Sequence, residues 1–354
     1  MAQTKRELQR KKRQREQKRA EYPHHVVKMW KEVMRQRIEK TKALIDFRGM
    51  RGDLHSHSIH SDGTGTVAEL AGYRDASGMD FLFVTDHGGL TQKRDCVKFD
   101  KMWWGQEPGT EYHHLGIAGS QKKYVVEHNL VNDWNAVLEM GAIPFIPHPT
   151  GWFPNVRYTQ EQKDALSLLG DTFTMEIING ANQIFDCWDV TDEWSVELWD
   201  LHLSQGKHVT ALGNSDAHLP HAIGDIWNGV SPDDESMEGV MDAVRRGRSF
   251  VSDAPLVSIS AQQDGGPVCE MGGDLIRSGE AALQVRILAA DSFGLREVTL
   301  IRNGKPVERW DAGGETVASH VFSDNNVSDA VYYRMECRAM DNRRAYTNPV
   351  YIRG

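Results

Sequence analysis

The sequence predicts an α/β fold of parallel strands and helices, followed by a small all-β domain. Three observations carry this. From about residue 52 to 255, short apolar runs alternate with segments of helical period, the pattern of parallel strands joined by helical crossovers. Run after run ends in His, Asp or Glu. After about Pro255 the helical period stops and strand-type alternation takes over.

The elements follow in order. Residues 1–51 hold 17 Lys and Arg against 6 Asp and Glu, while the rest holds 24 against 44. A basic arm thus precedes an acidic body. Residues 4–21 show no apolar face and read as a solvated helix or a disordered arm. Val26, Trp30, Val33, Met34, Ile38, Thr41, Leu44 and Ile45 recur at helical spacing, so an amphipathic helix should pack on the body or on a second copy of the chain. Thr66 and Glu69 form a capping box that starts a helix running to Ser77, before Gly78. Residues 80–85 (DFLFVT) read as a strand ending in Asp86-His87, and 110–117 (TEYHHLGI) as a strand carrying Glu111, His113 and His114. A helix from Leu130 stops at Gly141. Residues 142–149 (AIPFIPHP) close on His148, 172–180 (TFTMEIING) carry Glu176 and Asn179, and 208–218 (HVTALGNSDAH) end in Asn214, Asp216 and His218. A Trp-rich helix with Trp194, Leu198 and Leu201 lies between the last two. In the C-terminal part, 283–288 and 331–339 alternate, and Asn303-Gly304 marks a two-residue hairpin. The domains read as a basic helical extension over 1–50, a catalytic α/β domain over 51–255 and a β-sandwich over 256–354.

Composition excludes some classes. No run of about 18 apolar residues suggests a membrane span, and the start is no secretory signal. Cys96, Cys187, Cys269 and Cys337 are far apart and form no C-x-x-C, which argues against a thiolate zinc site and a disulfide framework. A cytoplasmic setting is expected. No Ser-His-Asp or Cys-His arrangement, P-loop or dinucleotide fingerprint is legible.

The chemistry should therefore come from metal. The stretch 53–63, DLHSHSIHSDG, holds Asp53, His55, His57, His60 and Asp62. In an extended chain an H-x-H pair puts both imidazoles on one face. With His87, Glu111, His113, His114, His148, Asp216 and His218 this is more than one ion needs. Two or three divalent ions sharing a carboxylate would use them, and mixed imidazole and carboxylate ligation suits zinc, manganese or iron. Asp53 and Asp86 read as carboxylates that orient ligand histidines. Glu176, Asn179 and Asn214 are expected to brace ligands or touch substrate. Ligands gathered at the carboxyl ends of parallel strands converge on one face.

The series DLHSHS…SDG, VTDHGG, PGTE, IPHPTG and GNSDAH resembles the ordered motifs of the PHP (polymerase and histidinol phosphatase) family over residues 51–255. The C-terminal part is similar to the β domain of the carbaryl-hydrolase-like branch. The resemblance implies a distorted seven-stranded β/α barrel, TIM-like, with a trinuclear centre. One ion would take His55, His57, Glu111 and Asp216. A second would share Glu111 and take His148 with His113, His114 being the substitute. A third would take Asp62, His87 and His218. The departure lies after Glu111, where the family has a longer segment before its next histidine. Glu111, Asp216 and His218 are the groups expected nearest the chemistry.

The expected reaction is phosphoester hydrolysis, as phosphatase or phosphodiesterase, by a metal-bound hydroxide. The alternatives are an ester or carbamate hydrolase, or an exonuclease whose basic arm grips nucleic acid; a non-catalytic module ranks last. The expected partner is a small phosphoester or other ester. Nucleic acid is expected only through the arm, and self-association through the N-terminal helix.

Overall fold

The computed structural model describes residues 24–109, 113–151, 157–180, 188, 190–277, 281–325, 327 and 330–354. The basic arm and Glu111 lie outside the described residues.

Among the described residues, nine strands and seven helices make up the first part. The strands are β1 (Met50–Asp53), β2 (Phe81–Val84), β3 (Met102–Gln106), β4 (Gly116–Ala118), β5 (Ile143–Phe145), β6 (Thr172–Asn179), β7 (His208–Asn214), β8 (Trp227–Val230) and β9 (Ser249–Ser252). The helices are α1 (His24–Ile45), α2 (Val67–Ala76), α3 (Lys93–Cys96), α4 (Leu130–Glu139), α5 (Gln160–Ala165), α6 (Val190–Ser204) and α7 (Met237–Arg245). α2 starts at the expected capping box, with Thr66 and Glu69 each bonding the other's backbone N–H.

The pairing is mixed, not all parallel. β1, β2 and β3 run parallel, as do β6 and β7. β4 is antiparallel to β3 and β5, and β8 is antiparallel to β1 and β9. Isolated parallel bridges join Ile146 to Met175 and Ser56 to Ala217. A closed seven-stranded barrel is not shown among the described residues. Among the described residues, the strand expected over 110–117 is Gly116–Ala118. His113 and His114 lie before it, in a segment tied down by other elements. β3 (Met102–Gln106) is not among the strands expected from the sequence.

The C-terminal part holds β10 (Leu256–Gln263), β11 (Cys269–Glu270), β12 (Asp274–Ile276), β13 (Leu283–Ala290), β14 (Leu295–Arg302), β15 (Lys305–Asp311), β16 (Val317–Asp324), β17 (Ala330–Ala339), β18 (Arg344–Thr347) and β19 (Val350–Arg353). β11, β10, β13 and β16 form one antiparallel sheet. The other strands join the first part through β18, which pairs with β9. Inward-facing Val257, Ile259, Val285, Ile287, Val298, Leu300, Met335 and Cys337 share one core, as alternation on two packed sheets requires. Asn303 and Gly304, at φ 48° and 72°, make the expected hairpin turn. Arg334 on the opposite face of β17 is 2% exposed and pairs with Asp200 of α6 at 2.6 Å.

Helix α1 packs on the body by a face that overlaps its apolar stripe, with Met34, Ile38 and Thr41 in both. Val26, Val33 and Leu44 stay 40%, 56% and 43% exposed, while Val27, Lys31, Met34, Arg37, Ile38 and Thr41 turn inward. Lys31 pairs with Asp225 at 2.7 Å, and Arg37 pairs with Asp291 at 2.7 Å and Asp341 at 2.6 Å. Buried cations are tolerable only when paired; here the body supplies the carboxylates, so α1 ties both parts together. No described helix is long and apolar enough to cross a membrane.

Candidate metal centre

Strand ends deliver the side chains to one place. His55 and His57 follow β1, His87 follows β2, Glu107 follows β3, His148 follows β5, and Asp216 and His218 follow β7. Asp62 comes from the loop after His57, and His114 from the segment before β4. The backbone is strained at two of these positions: His148 has φ 30° and Asp216 φ 46°. Non-glycine residues in this region cost about 1–3 kcal/mol each and persist where the surroundings fix them.

Glu107 is the centre of the cluster and is 1% exposed. Its Oε2 lies 3.3 Å from His55 Nε2, 3.3 Å from His57 Nε2 and 3.2 Å from His87 Nδ1. Its Oε1 lies 3.0 Å from both His114 Nδ1 and His148 Nε2. Asp216 Oδ1 adds contacts of 3.3 Å to His55 Nε2 and 3.1 Å to His57 Nε2. At the rim, Asp62 lies 3.1 Å from His218 Nε2 and 3.5 Å from His87 Nε2.

Three sets of donor atoms lie within 4.8 Å of one another: His55, His57, Glu107 and Asp216; His57, Asp62, His87 and His218; and His87, Glu107 and His114.

A layer behind the cluster fixes which nitrogen faces it. His55 Nδ1 lies 2.8 Å from Glu176 Oε1. A carboxylate only accepts, so Nδ1 carries the hydrogen and Nε2 turns its lone pair to the cluster. Glu176 Oε2 accepts from the His148 N–H at 2.8 Å and from Asn179 at 2.9 Å, and Oε1 accepts from Asn214 at 2.9 Å. Asn179 also reaches Asp216 Oδ2 at 3.4 Å. Backbone carbonyls hold His87 Nδ1 and His218 Nδ1, each at 2.9 Å. Asp53 and Asp86 orient backbone, not imidazoles. Asp53 accepts from the His55 N–H at 3.0 Å and the Ser215 hydroxyl at 2.5 Å. Asp86 accepts from the Ser58 N–H at 2.8 Å and the Ser61 hydroxyl at 2.5 Å. Burial pushes the Asp53 carboxyl up to about 7, against the Ser215 hydroxyl that favours its anion.

The charges hold each other. Burial alone would raise Glu107, but the imidazoles of His55, His114 and His87 hold it well below the usual carboxylate range. Burial also disfavours the Asp216 and Asp62 anions, and the neighbouring imidazoles overcome it and lower both. His55 is driven down by burial and further up by Asp216, Glu107 and Glu176, for a net rise. His148 and His218 are raised in the same way, by Glu107 and by Asp62 and Asp216.

The donor set fits divalent ions. His55 Nε2 and His57 Nε2 face each other at 3.1 Å, and two lone pairs aimed at one spot repel unless a cation sits between them. Asp216 Oδ1, His57 Nδ1 and His148 Nδ1 are shut off from solvent without a hydrogen bond of good geometry among the described residues. Orphaned buried polar atoms of this kind are costly, and a metal would satisfy those that face the cluster.

Against the sequence expectation, His55, His57, Asp62, His87, His148, Asp216 and His218 converge. Glu111 lies outside the described residues. The place expected of a shared carboxylate is held by Glu107, which sequence reasoning missed. Two signals pointed to it. Met102-Trp103-Trp104 is an apolar run with Glu107 three residues beyond it, as acidic residues or histidines follow the other strands. The gap from Glu107 to His114 is also longer than the short one after Glu111. His113 is corrected: it turns into the core, with Nε2 3.2 Å from buried Asp133, and His114 faces the cluster. Asp133 is fixed by Tyr124 and the Glu127 N–H, and Tyr158 bonds the His114 carbonyl, so the segment cannot present His113 instead. His60 points away, to Thr91 and Asp95.

No curated protein matches the chain. Several solved structures are similar in part. One is a two-domain protein from Bacteroides vulgatus containing a "predicted PHP-like metal-dependent phosphoesterase" (14% identity, 86% of this chain and 96% of that chain, TM-score 0.49). Another is a lesion-specific endonuclease from Pyrococcus furiosus (15% identity, 63% and 57%, TM-score 0.42). A third is a "putative metal-dependent phosphoesterase" from Bifidobacterium adolescentis (14% identity, 47% and 87%, TM-score 0.34). At these values the likenesses describe resemblance, and function must be argued from the side chains. Residues 203–249, the segment that carries Asp216 and His218, match the family model described as PHP-associated.

Proposed function

We infer that the protein is a metal-dependent hydrolase that cleaves phosphoesters. The observation that carries this is Glu107, a buried carboxylate within 3.0–3.3 Å of five imidazole nitrogens. A carboxylate with two oxygens facing separate histidine sets is suited to bridging ions. The reading holds up to three: one with His55, His57, Glu107 and Asp216, one with Glu107, His114 and His148, and one with Asp62, His87 and His218. Manganese, zinc and iron are the candidate metals. Divalent ions supply Lewis-acid charge and make water a nucleophile near neutral pH.

The chain's own residues do the rest. His55, His57 and Glu107 are 0–1% exposed and wall off the floor from water, where low dielectric strengthens every electrostatic contact. The side chains of Asp62, His87 and His218 are 48%, 27% and 23% exposed, so substrate enters past them. Glu176, through Asn179, Asn214 and the His148 backbone, holds the floor rigid while charge develops on the phosphoryl oxygens.

A closed barrel, membership of the carbaryl-hydrolase-like branch and a cytoplasmic setting belong to the same proposal, on the motif order and the cysteine spacing. The test is a panel of aryl phosphate mono- and diesters, aryl acetates and aryl carbamates with each metal. Metal-dependent release of p-nitrophenol from a phosphate supports the reading and separates phosphatase from phosphodiesterase. Turnover confined to acetates or carbamates replaces it with attack at carbon, and turnover of none with any metal overturns it.

A further inference from the structure

A cavity of about 430 Å³ lies between the start of α5 and the side of α6 from Trp194 to Leu201. It is lined by Thr150, Arg157, Gln160 and Lys163 on one side and by Trp194, Glu197, Leu198 and Leu201 of α6. Thr150 is two residues beyond His148. Thr150 therefore ties one end of the cavity to the strand end that bears His148.

Its charged lining is two cations, Arg157 and Lys163, and one carboxylate, Glu197. Neither the Arg157 nor the Lys163 side chain makes a hydrogen bond or an ion pair among the described residues. They are close enough to act on one another: burial, and then the Arg157 charge, push the Lys163 ammonium down. Like charges held together destabilise a fold, and an anion between them converts the repulsion into charge-assisted contacts. The α6 side carries Trp194, Leu198 and Leu201 beside Glu197. Trp194 is 46% and Leu201 54% exposed, large hydrophobic surfaces left open beside cations. Cations converging beside an open aromatic wall are the lining of a small-molecule site.

We propose that this cavity binds an anionic group carried on a flat apolar body, as a nucleotide carries its phosphate, and serves as a second subsite for substrate. Its service to substrate rests on the phosphoesterase reading; its binding of the anion does not. Arg157 and Lys163 clasp the anion and Trp194 packs on the planar body, while the ester to be cleaved lies toward His148.

The experiment measures ADP binding by isothermal titration calorimetry on EDTA-treated protein, so that the metal centre contributes no ion. Adenosine is the comparison ligand and Arg157→Ala/Lys163→Ala the variant, with its melting curve matched to wild type. ADP should bind wild type, and the double variant should bind it at least about tenfold more weakly, the scale of one lost charge-assisted contact. Adenosine should likewise bind wild type at least about tenfold more weakly. ADP failing to bind wild type, binding the variant equally well, or binding no better than adenosine overturns the proposal. Turnover of p-nitrophenyl phosphate by metal-loaded protein is followed in parallel. ADP binding lost in the variant, with no phosphoester turnover in wild type, upholds the anion site and sinks the phosphoesterase reading. Turnover without the predicted ADP binding does the reverse.

Discussion

Glu107→Gln keeps the shape of the central side chain and removes its charge. In the structure that charge faces His55, His57, His87, His114 and His148 at 3.0–3.3 Å. The amide leaves one oxygen to accept and aims an NH2 group at imidazole nitrogens that should face a cation. Two of the three donor sets contain Glu107, so both lose a ligand at once. Loss of a residue that merely supports a ligand costs about 10–100-fold in metal affinity; a shared ligand should cost more than about 100-fold. Turnover should fall by about 10²–10³, the cost of removing one stabilising group at the reacting centre. The assay is metal content by elemental analysis after dialysis, beside steady-state turnover, with Glu111→Gln in parallel. Glu111→Gln should keep both metal and rate. Glu107→Gln protein that retains its ions and activity, with Glu111→Gln losing them, would refute the placing of Glu107 at the centre.

Other expected outcomes follow from the same geometry. His114→Ala should lose metal, whereas His113→Ala should keep it and lose about 1–3 kcal/mol of stability, because Asp133 is left buried without its imidazole; dialysis and urea unfolding separate the two. Lys31→Met should cost about 3–5 kcal/mol in the same unfolding assay by taking the ammonium away from the buried Asp225 carboxylate, and Lys31→Met/Asp225→Leu should recover most of it. The metal-stripped protein should respond to pH in a stated direction. The raised imidazoles of His55, His57, His87, His148 and His218 stabilise the fold below their unfolded value of about 6.5, and the contribution is lost as pH rises through their higher folded values. Calorimetry of stripped protein should therefore show a falling melting temperature from about pH 6 upward, while added zinc or manganese stabilises more at about pH 8 than at about pH 6, since imidazoles must be neutral to bind.

Much of this arrangement was legible in the chain. Apolar runs closing on His87, His148 and Asp216 announce themselves by composition, and alternation in 331–339 marks a strand as plainly as Thr66 and Glu69 mark a helix start. Asn303-Gly304 encodes its turn locally. What was not legible depends on partners far away in sequence. The stripe on α1 reads as its buried face, yet Lys31 and Arg37 go inside because Asp225, Asp291 and Asp341 wait there. Two adjacent histidines cannot be told apart by type. His113 and His114 are sorted by Asp133 on α4, which claims the first. Glu107 escaped because Glu111 stood nearer the histidines and fitted a motif, although its spacing to them was short. The antiparallel turn of β4 has no local signature of its own.

The central claim is that these side chains hold metal around Glu107. Elemental analysis of protein purified without chelator tests it most directly. The account predicts two to three divalent ions per chain, falling sharply in Glu107→Gln and in His55→Ala. Fewer than one ion per chain in folded wild-type protein, after growth and dialysis with manganese, zinc and iron supplied, would contradict it.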